Sequence, residues 1–193
     1  MQTAIRRETL SELVFPSVQG IGRGFLALGF SGIIALSARL AIPLPFTPVP
    51  ITGQTFAVVL TGALLGPHYG VLAVLFYLIE GGLGLPVFGG GMSGWAHMAG
   101  STAGYLFGFV LAAFVVGSLA QRGWDRKLSR SLAMMLIGEA VILVLGATWL
   151  TAFVGTDRVL MAGVVPFLPG ALVKAALAAA LLPLGWRALA AWR

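Results

Sequence analysis

Lys174 lies in the stretch Leu172-Val173-Lys174-Ala175-Ala176-Leu177 and is followed by an almost unbroken apolar run. An ionisable group there costs about 2.5–3.5 kcal/mol on membrane-insertion scales, which marks it as a candidate for function. At about 1.5 Å per helical residue, Lys174 stands roughly 12 Å beyond Pro166, too deep to snorkel easily. Two arrangements accommodate it: a polar cavity holding an anionic or strongly polar ligand, or an internal ion pair.

Glu80 and Glu139 are the possible partners. Glu80 directly precedes Gly81-Gly82 and is expected to share the outer level with Lys174. Glu139 is expected to lie too deep to reach the same cavity, which favours a structural pairing or a protonated state. Arg39 is either a second cation beside the cavity or a headgroup contact. Thr52 and Gln54 can hydrogen-bond an amide-like ligand or simply join helices. Trp95, in a glycine-rich connector, is either a ligand contact or a member of an aromatic belt.

Other chemistries find no support. There is no cysteine, so neither a disulfide nor a thiolate metal site can form. His68 and His97 stand alone, without a second ligand at metal-binding spacing, and His97, near Trp95, is read as a solvated loop residue in preference to a lining of the outer mouth. No glycine-rich phosphate loop ending in Lys-Ser or Lys-Thr is present. An intramembrane enzyme would have only Glu80 and Lys174 as its acid–base pair.

The elements that must position these groups follow from composition. Of 193 residues, 59% are hydrophobic and 9% charged, against roughly 25% charged in an ordinary soluble domain. That excludes a typical soluble enzyme and, despite the net charge of +6, a nucleic-acid binder. The expectation is an all-α integral membrane protein forming one domain over residues 1–193. Apolar stretches near 21–42, 51–66, 69–88, 100–120, 131–154 and 162–185 predict six transmembrane helices.

An even count places both termini on one side. Arg6, Arg7, Arg23, Arg122, Arg126, Lys127, Arg130, Arg187 and Arg193 then all fall at the cytoplasmic face, as the positive-inside bias requires. Trp124, Trp186 and Trp192 fall at inner ends and Trp149 near an outer one, as an aromatic belt.

Three segments cannot be plain helix. Pro43-Leu44-Pro45-Phe46-Thr47-Pro48-Val49-Pro50 has too few N–H donors and fixed φ angles, and reads as a stiff extended loop. Gly89-Gly90-Gly91-Met92-Ser93-Gly94 permits unusual backbone. Pro166-Phe167-Leu168-Pro169-Gly170 opens the last span. All three fall on the outer side, where irregular backbone can line a cavity. In the first span Ala27, Ser31 and Ala35 recur at four-residue spacing, a smooth strip for close helix approach inside the bundle or against a partner.

Five ordered blocks resemble the BioY family of biotin transporters. They are Pro45-Phe46-Thr47-Pro48-Val49-Pro50-Ile51-Thr52-Gly53-Gln54-Thr55, Ala63-Leu64-Leu65-Gly66-Pro67, Gly84-Leu85-Pro86-Val87-Phe88-Gly89-Gly90-Gly91, Gly104-Tyr105-Leu106-Phe107-Gly108-Phe109, and Pro166-Phe167-Leu168-Pro169-Gly170 with Lys174. The resemblance implies a six-helix, substrate-specific component of an energy-coupling factor transporter in the bacterial cytoplasmic membrane. Such a component captures biotin from outside with high affinity. It implies a transmembrane coupling protein and two ATPases as partners, although some relatives are thought to act alone, and no cofactor beyond the transported biotin.

On the same ground the ligand-binding set is expected to comprise Lys174, Gln54, Thr52, Glu80, Gly90, Met92, Ser93, Trp95, Tyr105 and Ala171, with Ala27, Ser31 and Ala35 facing the coupling protein. One departure stands out. Many relatives carry an Asp three residues before the lysine, where this chain has Ala171. An Asn of some relatives is replaced near Met92 and Ser93. A component for a different small vitamin is the alternative reading.

Overall fold

The computed structural model describes residues 9–191, so the expectations for Arg6, Arg7, Trp192 and Arg193 lie outside the described residues. The chain is helical, with α1 at Leu10–Val14, α2 at Ile21–Ser37, α3 at Gln54–Gly82, α4 at Trp95–Met98, α5 at Ala103–Ala120, α6 at Leu128–Val154, α7 at Val159–Gly163 and α8 at Leu168–Ala191. Among the described residues, four helical stretches are long and apolar enough to cross a membrane: Gln54–Gly82, Ala103–Ala120, Leu128–Val154 and Val159–Ala191. Ile21–Ser37 is a shorter apolar helix.

Helix α3 is broken at Gly66, whose φ of 79° and ψ of −179° are open to glycine and strained for other residues. Pro67 then starts the second arm, where a missing N–H costs nothing. The arms fold back on each other: a Cβ added to Gly70 would lie 2.9 Å from the Cα of Gly62. Gln54, at the start of the first arm, donates a hydrogen bond to Tyr77 in the second. The apolar stretches expected at 51–66 and 69–88 thus become antiparallel arms at 54–65 and 67–82.

Several boundaries differ from expectation for identifiable reasons. The stretch drawn to residue 42 leaves helix after Ser37, because Ala41–Ile42 (β1) pairs antiparallel with Ile51–Thr52 (β2) and closes the proline loop as a hairpin. The second arm of α3 stops at Gly82, ahead of Gly84 with φ +100° and of Pro86. The last stretch is interrupted: α7 ends at Gly163, a 3-10 turn covers Val165–Phe167, and α8 runs on to Ala191.

Packing follows small residues. A Cβ on Gly117 of α5 would approach Pro67 N to 2.5 Å, so α5 crosses α3 at backbone contact. Helix α2 lies on α3, α5 lies between α3 and α6, and α8 rests on α6. Val58, Val59, Val74, Tyr77, Val116, Met134, Met135 and Ile142 are fully buried at the centre. The outside is broadly apolar, with Ile21, Phe25 and Leu36 on α2 and Leu172, Val173, Leu177 and Leu181 on α8 exposed. Such a continuous apolar surface suits lipid rather than water.

One end of the bundle gathers basic residues. The connector from α5 to α6 carries Arg122, Arg126, Lys127 and Arg130, and its Asp125 accepts a hydrogen bond from Trp186 near Arg187. Arg126 lies over the Trp186 ring at 4.5 Å. At the same end Leu10 packs beside Gly185, and Arg23 pairs with Glu12 at 2.9 Å. The β1–β2 hairpin, the glycine-rich connector and the α7–α8 break lie at the opposite end.

Candidate functional site

At that opposite end a cavity opens between α3, α5, α6 and α8, with about 650 Å³ of space unfilled by atoms, part of it open to the outside. Each wall has a local origin. The hairpin brings Val49, Pro50 and Thr52, and the first turn of α3 adds Gln54 and Thr55. Tyr105, Leu106 and Phe109 come from one face of α5, and Glu139, Ile142 and Leu143 from α6. Phe167, Ala171 and Lys174 come from the last connector and α8.

The polar groups are held in order. Lys174 Nζ donates to the Thr55 hydroxyl at 2.6 Å and to the Thr52 carbonyl at 3.1 Å. An ammonium has three N–H donors, so one remains for a ligand. The Thr52 hydroxyl donates to Gln54 Oε1 at 2.9 Å, and Gln54 donates in turn to the Tyr77 hydroxyl. This chain fixes the amide of Gln54, which is buried. The Tyr105 hydroxyl donates to the Gly163 carbonyl at 2.7 Å, tying α5 to the end of α7.

The aromatic wall depends on a close approach. A Cβ on Gly81 would lie 2.1 Å from the Phe88 ring, so only glycine lets Phe88 fold inward there. Phe88 then meets Tyr77 edge-on at 5.5 Å and stacks on His97 at 5.3 Å. Burial pushes the His97 imidazole below its usual range, so the neutral ring is favoured.

Of the residues expected at the site, Lys174, Gln54, Thr52, Tyr105 and Ala171 all line this cavity. Glu80 does not: it is held by Ser31 of α2 at 2.8 Å. Gly90, Met92, Ser93 and Trp95 are also absent from the lining, which includes Gly89 instead. With Phe88 turned inward, Met92 and Trp95 are left exposed at the rim. Trp95 lies against Gly82.

Of the strip on α2, Ala27 and Ser31 are fully buried and Ala35 packs against the core, so this face of the helix lies inside the bundle, against α3.

Sequence reasoning missed Thr55, Phe88, His97, Phe109, Phe167 and Glu139. The three phenylalanines stood within motifs that drew attention, without a signal for which way they point. His97 was expected in solvent but lines the cavity. Glu139 was placed too deep, yet it stands near the middle of the long helix Leu128–Val154, and the cavity reaches down to it. Lys174 and Glu139 are close enough to act on each other electrostatically, and Thr55 stands beside both.

Known proteins resemble this chain in sequence and in fold. The BioY family matches residues 11–191. A probable biotin transporter BioY of Pyrococcus horikoshii is 40% identical over 149 residues, 77% of this chain and 86% of its own length. The biotin transporter BioY of Thermotoga maritima is 40% identical over 151 residues, 78% of this chain and 87% of its own. That of Rhizobium etli is 39% identical over 157 residues, 77% of this chain and 84% of its own. The crystal structure of the S-component for biotin from an ECF-type ABC transporter superposes with a TM-score of 0.76 at 28% identity, covering 84% of this chain and 89% of that one. The chain belongs to the BioY family and is a multi-pass membrane protein.

Proposed function

We propose that this BioY family member captures biotin at the cavity end of the bundle and serves biotin uptake as the substrate-specific component of an energy-coupling factor transporter. One observation carries the reading: a half-buried lysine with a donor to spare stands in a cavity of largely aromatic and aliphatic walls, among Thr52, Gln54, Thr55 and Glu139. Biotin combines a ureido edge, an apolar bicycle and a carboxylate tail, which such a cavity suits. The relatives named as biotin transporters support the same ligand.

Counting the two arms of α3 separately, six crossings are proposed, with both termini cytoplasmic and the cavity facing outward. The gathering of basic residues at the end opposite the cavity supports that orientation. The membrane is then the bacterial cytoplasmic one, and a transmembrane coupling protein with ATPase subunits completes the transporter. An enzyme reading loses its premise, because Glu80 is bonded to Ser31 and does not line the cavity beside Lys174.

Equilibrium binding of radiolabelled biotin to the purified protein, with other vitamins as competitors, tests the proposal. Biotin should displace the label at the lowest concentration of any competitor. Stronger competition by another vitamin would establish the alternative ligand, and no binding of biotin would end the reading.

A further inference from the structure

Glu139 is 3% exposed, and its Oε1 has no hydrogen-bond partner among the described residues. A buried carboxylate oxygen with nothing to accept is uncommon in a native interior and asks for a reason. The reason is not a direct ion pair, since the Lys174 ammonium bonds to Thr52 and Thr55 instead. The carboxylate instead lines the cavity, on the helix facing the lysine.

The cavity therefore offers an acceptor and a donor side by side within apolar walls. A ligand carboxylate fits this pair poorly, because Glu139 would repel what Lys174 attracts. A neutral edge carrying an N–H next to a C=O fits both groups at once. A cyclic urea has that edge.

The geometry points to Glu139 as the acceptor for the ureido N–H of the ligand, with Lys174 donating to the ureido oxygen, so that the two residues together select a cyclic urea. This rests on the biotin reading and adds to it which end of the ligand lies deep and which residue reads it. The carboxylate tail is then directed toward the cavity mouth. Ala171 lines the same cavity one turn before Lys174, so a carboxylate introduced there enters the same space.

The test uses the purified full chain in detergent and two ligands, biotin and lipoate. Both carry a valerate tail on a sulfur-containing ring, but lipoate has no urea. Parent, Glu139→Gln, Glu139→Ala and the double variant Glu139→Ala with Ala171→Asp are compared by equilibrium binding, with thermal unfolding as the check on folding. Biotin binding should weaken at least tenfold in Glu139→Ala and by less in Glu139→Gln, whose amide oxygen still accepts but without charge, and the preference for biotin over lipoate should narrow in step. The Ala171→Asp addition should recover much of the biotin binding.

Unchanged biotin binding by a folded Glu139→Ala overturns the assignment. So does a parallel loss of both ligands, which is what a merely structural carboxylate would give. Should Glu139→Ala unfold, the isosteric Glu139→Gln carries the comparison alone. A parent chain that fails to bind biotin overturns the proposed function itself, a result distinct from any of these.

Discussion

Lys174 of α8 and Thr55 of α3 are joined by a 2.6 Å hydrogen bond across 119 residues of sequence. The bond ties the last helix to the first turn after the β hairpin, at the cavity wall. The position of the lysine is thus set by α3 as much as by α8.

Replacing Lys174 by Ala removes that bond, the one to the Thr52 carbonyl and the donor left for ligand. Hydrogen bonds involving a charged group contribute about 1.5–3 kcal/mol. Biotin binding should therefore weaken about 10- to 100-fold, or more if Glu139 is left as an uncompensated charge. Equilibrium binding reads the change directly, and undiminished affinity would contradict the site.

Thr55→Val keeps the shape of the side chain but removes the hydroxyl that Lys174 reaches. The loss should be smaller than for Lys174→Ala, about tenfold or less, because the lysine keeps its charge and its bond to Thr52. A loss as large as that of the lysine variant would mean that Thr55 touches the ligand itself.

Gly81→Ala places a methyl group 2.1 Å from the Phe88 ring. The ring must leave its place against Tyr77 and His97, and overpacking of this kind costs about 1–3 kcal/mol. A lower thermal midpoint together with weaker biotin binding is expected. Gly84→Ala is a poor control because of its positive φ, whereas Gly24→Ala meets open space and should change neither.

His97 supplies a pH dependence. Burial lowers its folded value beneath the ordinary 6.5, so the unfolded chain takes up the proton first. The contribution of this residue to stability is complete above about 6.5 and falls away as the pH drops through the lower folded value. Thermal midpoints measured from pH 8 to pH 5 should decline on the acid side. In His97→Phe, which keeps the stack on Phe88, that part of the decline should vanish.

At the basic end, Trp186→Phe removes the 2.6 Å hydrogen bond to Asp125, a carboxylate that is fully buried and whose Oδ1 has no partner among the described residues. About 1.5–3 kcal/mol of stability should be lost. Biotin affinity should stay as it was, since the contact lies at the far end from the cavity. A change in affinity without a change in stability would show the two ends to be coupled.

The membrane character, the span cores and the cavity lysine were legible because each rests on a local signal. Long apolar runs, paired prolines and an isolated charge need no tertiary knowledge. Lys174, Thr52 and Gln54 were singled out in that way, whereas Tyr105 and Ala171 entered only through the family resemblance. The errors concern direction and depth. Glu80 and Glu139 are both acids inside apolar helices, and only the packing of α2 on α3 gives Glu80 to Ser31 while α6 turns Glu139 toward Lys174. A strip such as Ala27-Ser31-Ala35 specifies a close neighbour without saying which one. The glycine-rich connector announced irregular backbone, but the inward fold of Phe88 over Gly81 decided that Met92 and Trp95 stay at the rim.

The proline segment closed by β1 and β2 contributes Val49 and Pro50 to the cavity wall. Four of its eight residues, Pro43, Pro45, Pro48 and Pro50, have no amide hydrogen and a fixed φ. Such a cover has few conformations to give up when a molecule fills the space beneath it, so little affinity is spent on ordering it. Amide hydrogen exchange, by the same token, will report on this segment only through Leu44, Phe46, Thr47 and Val49.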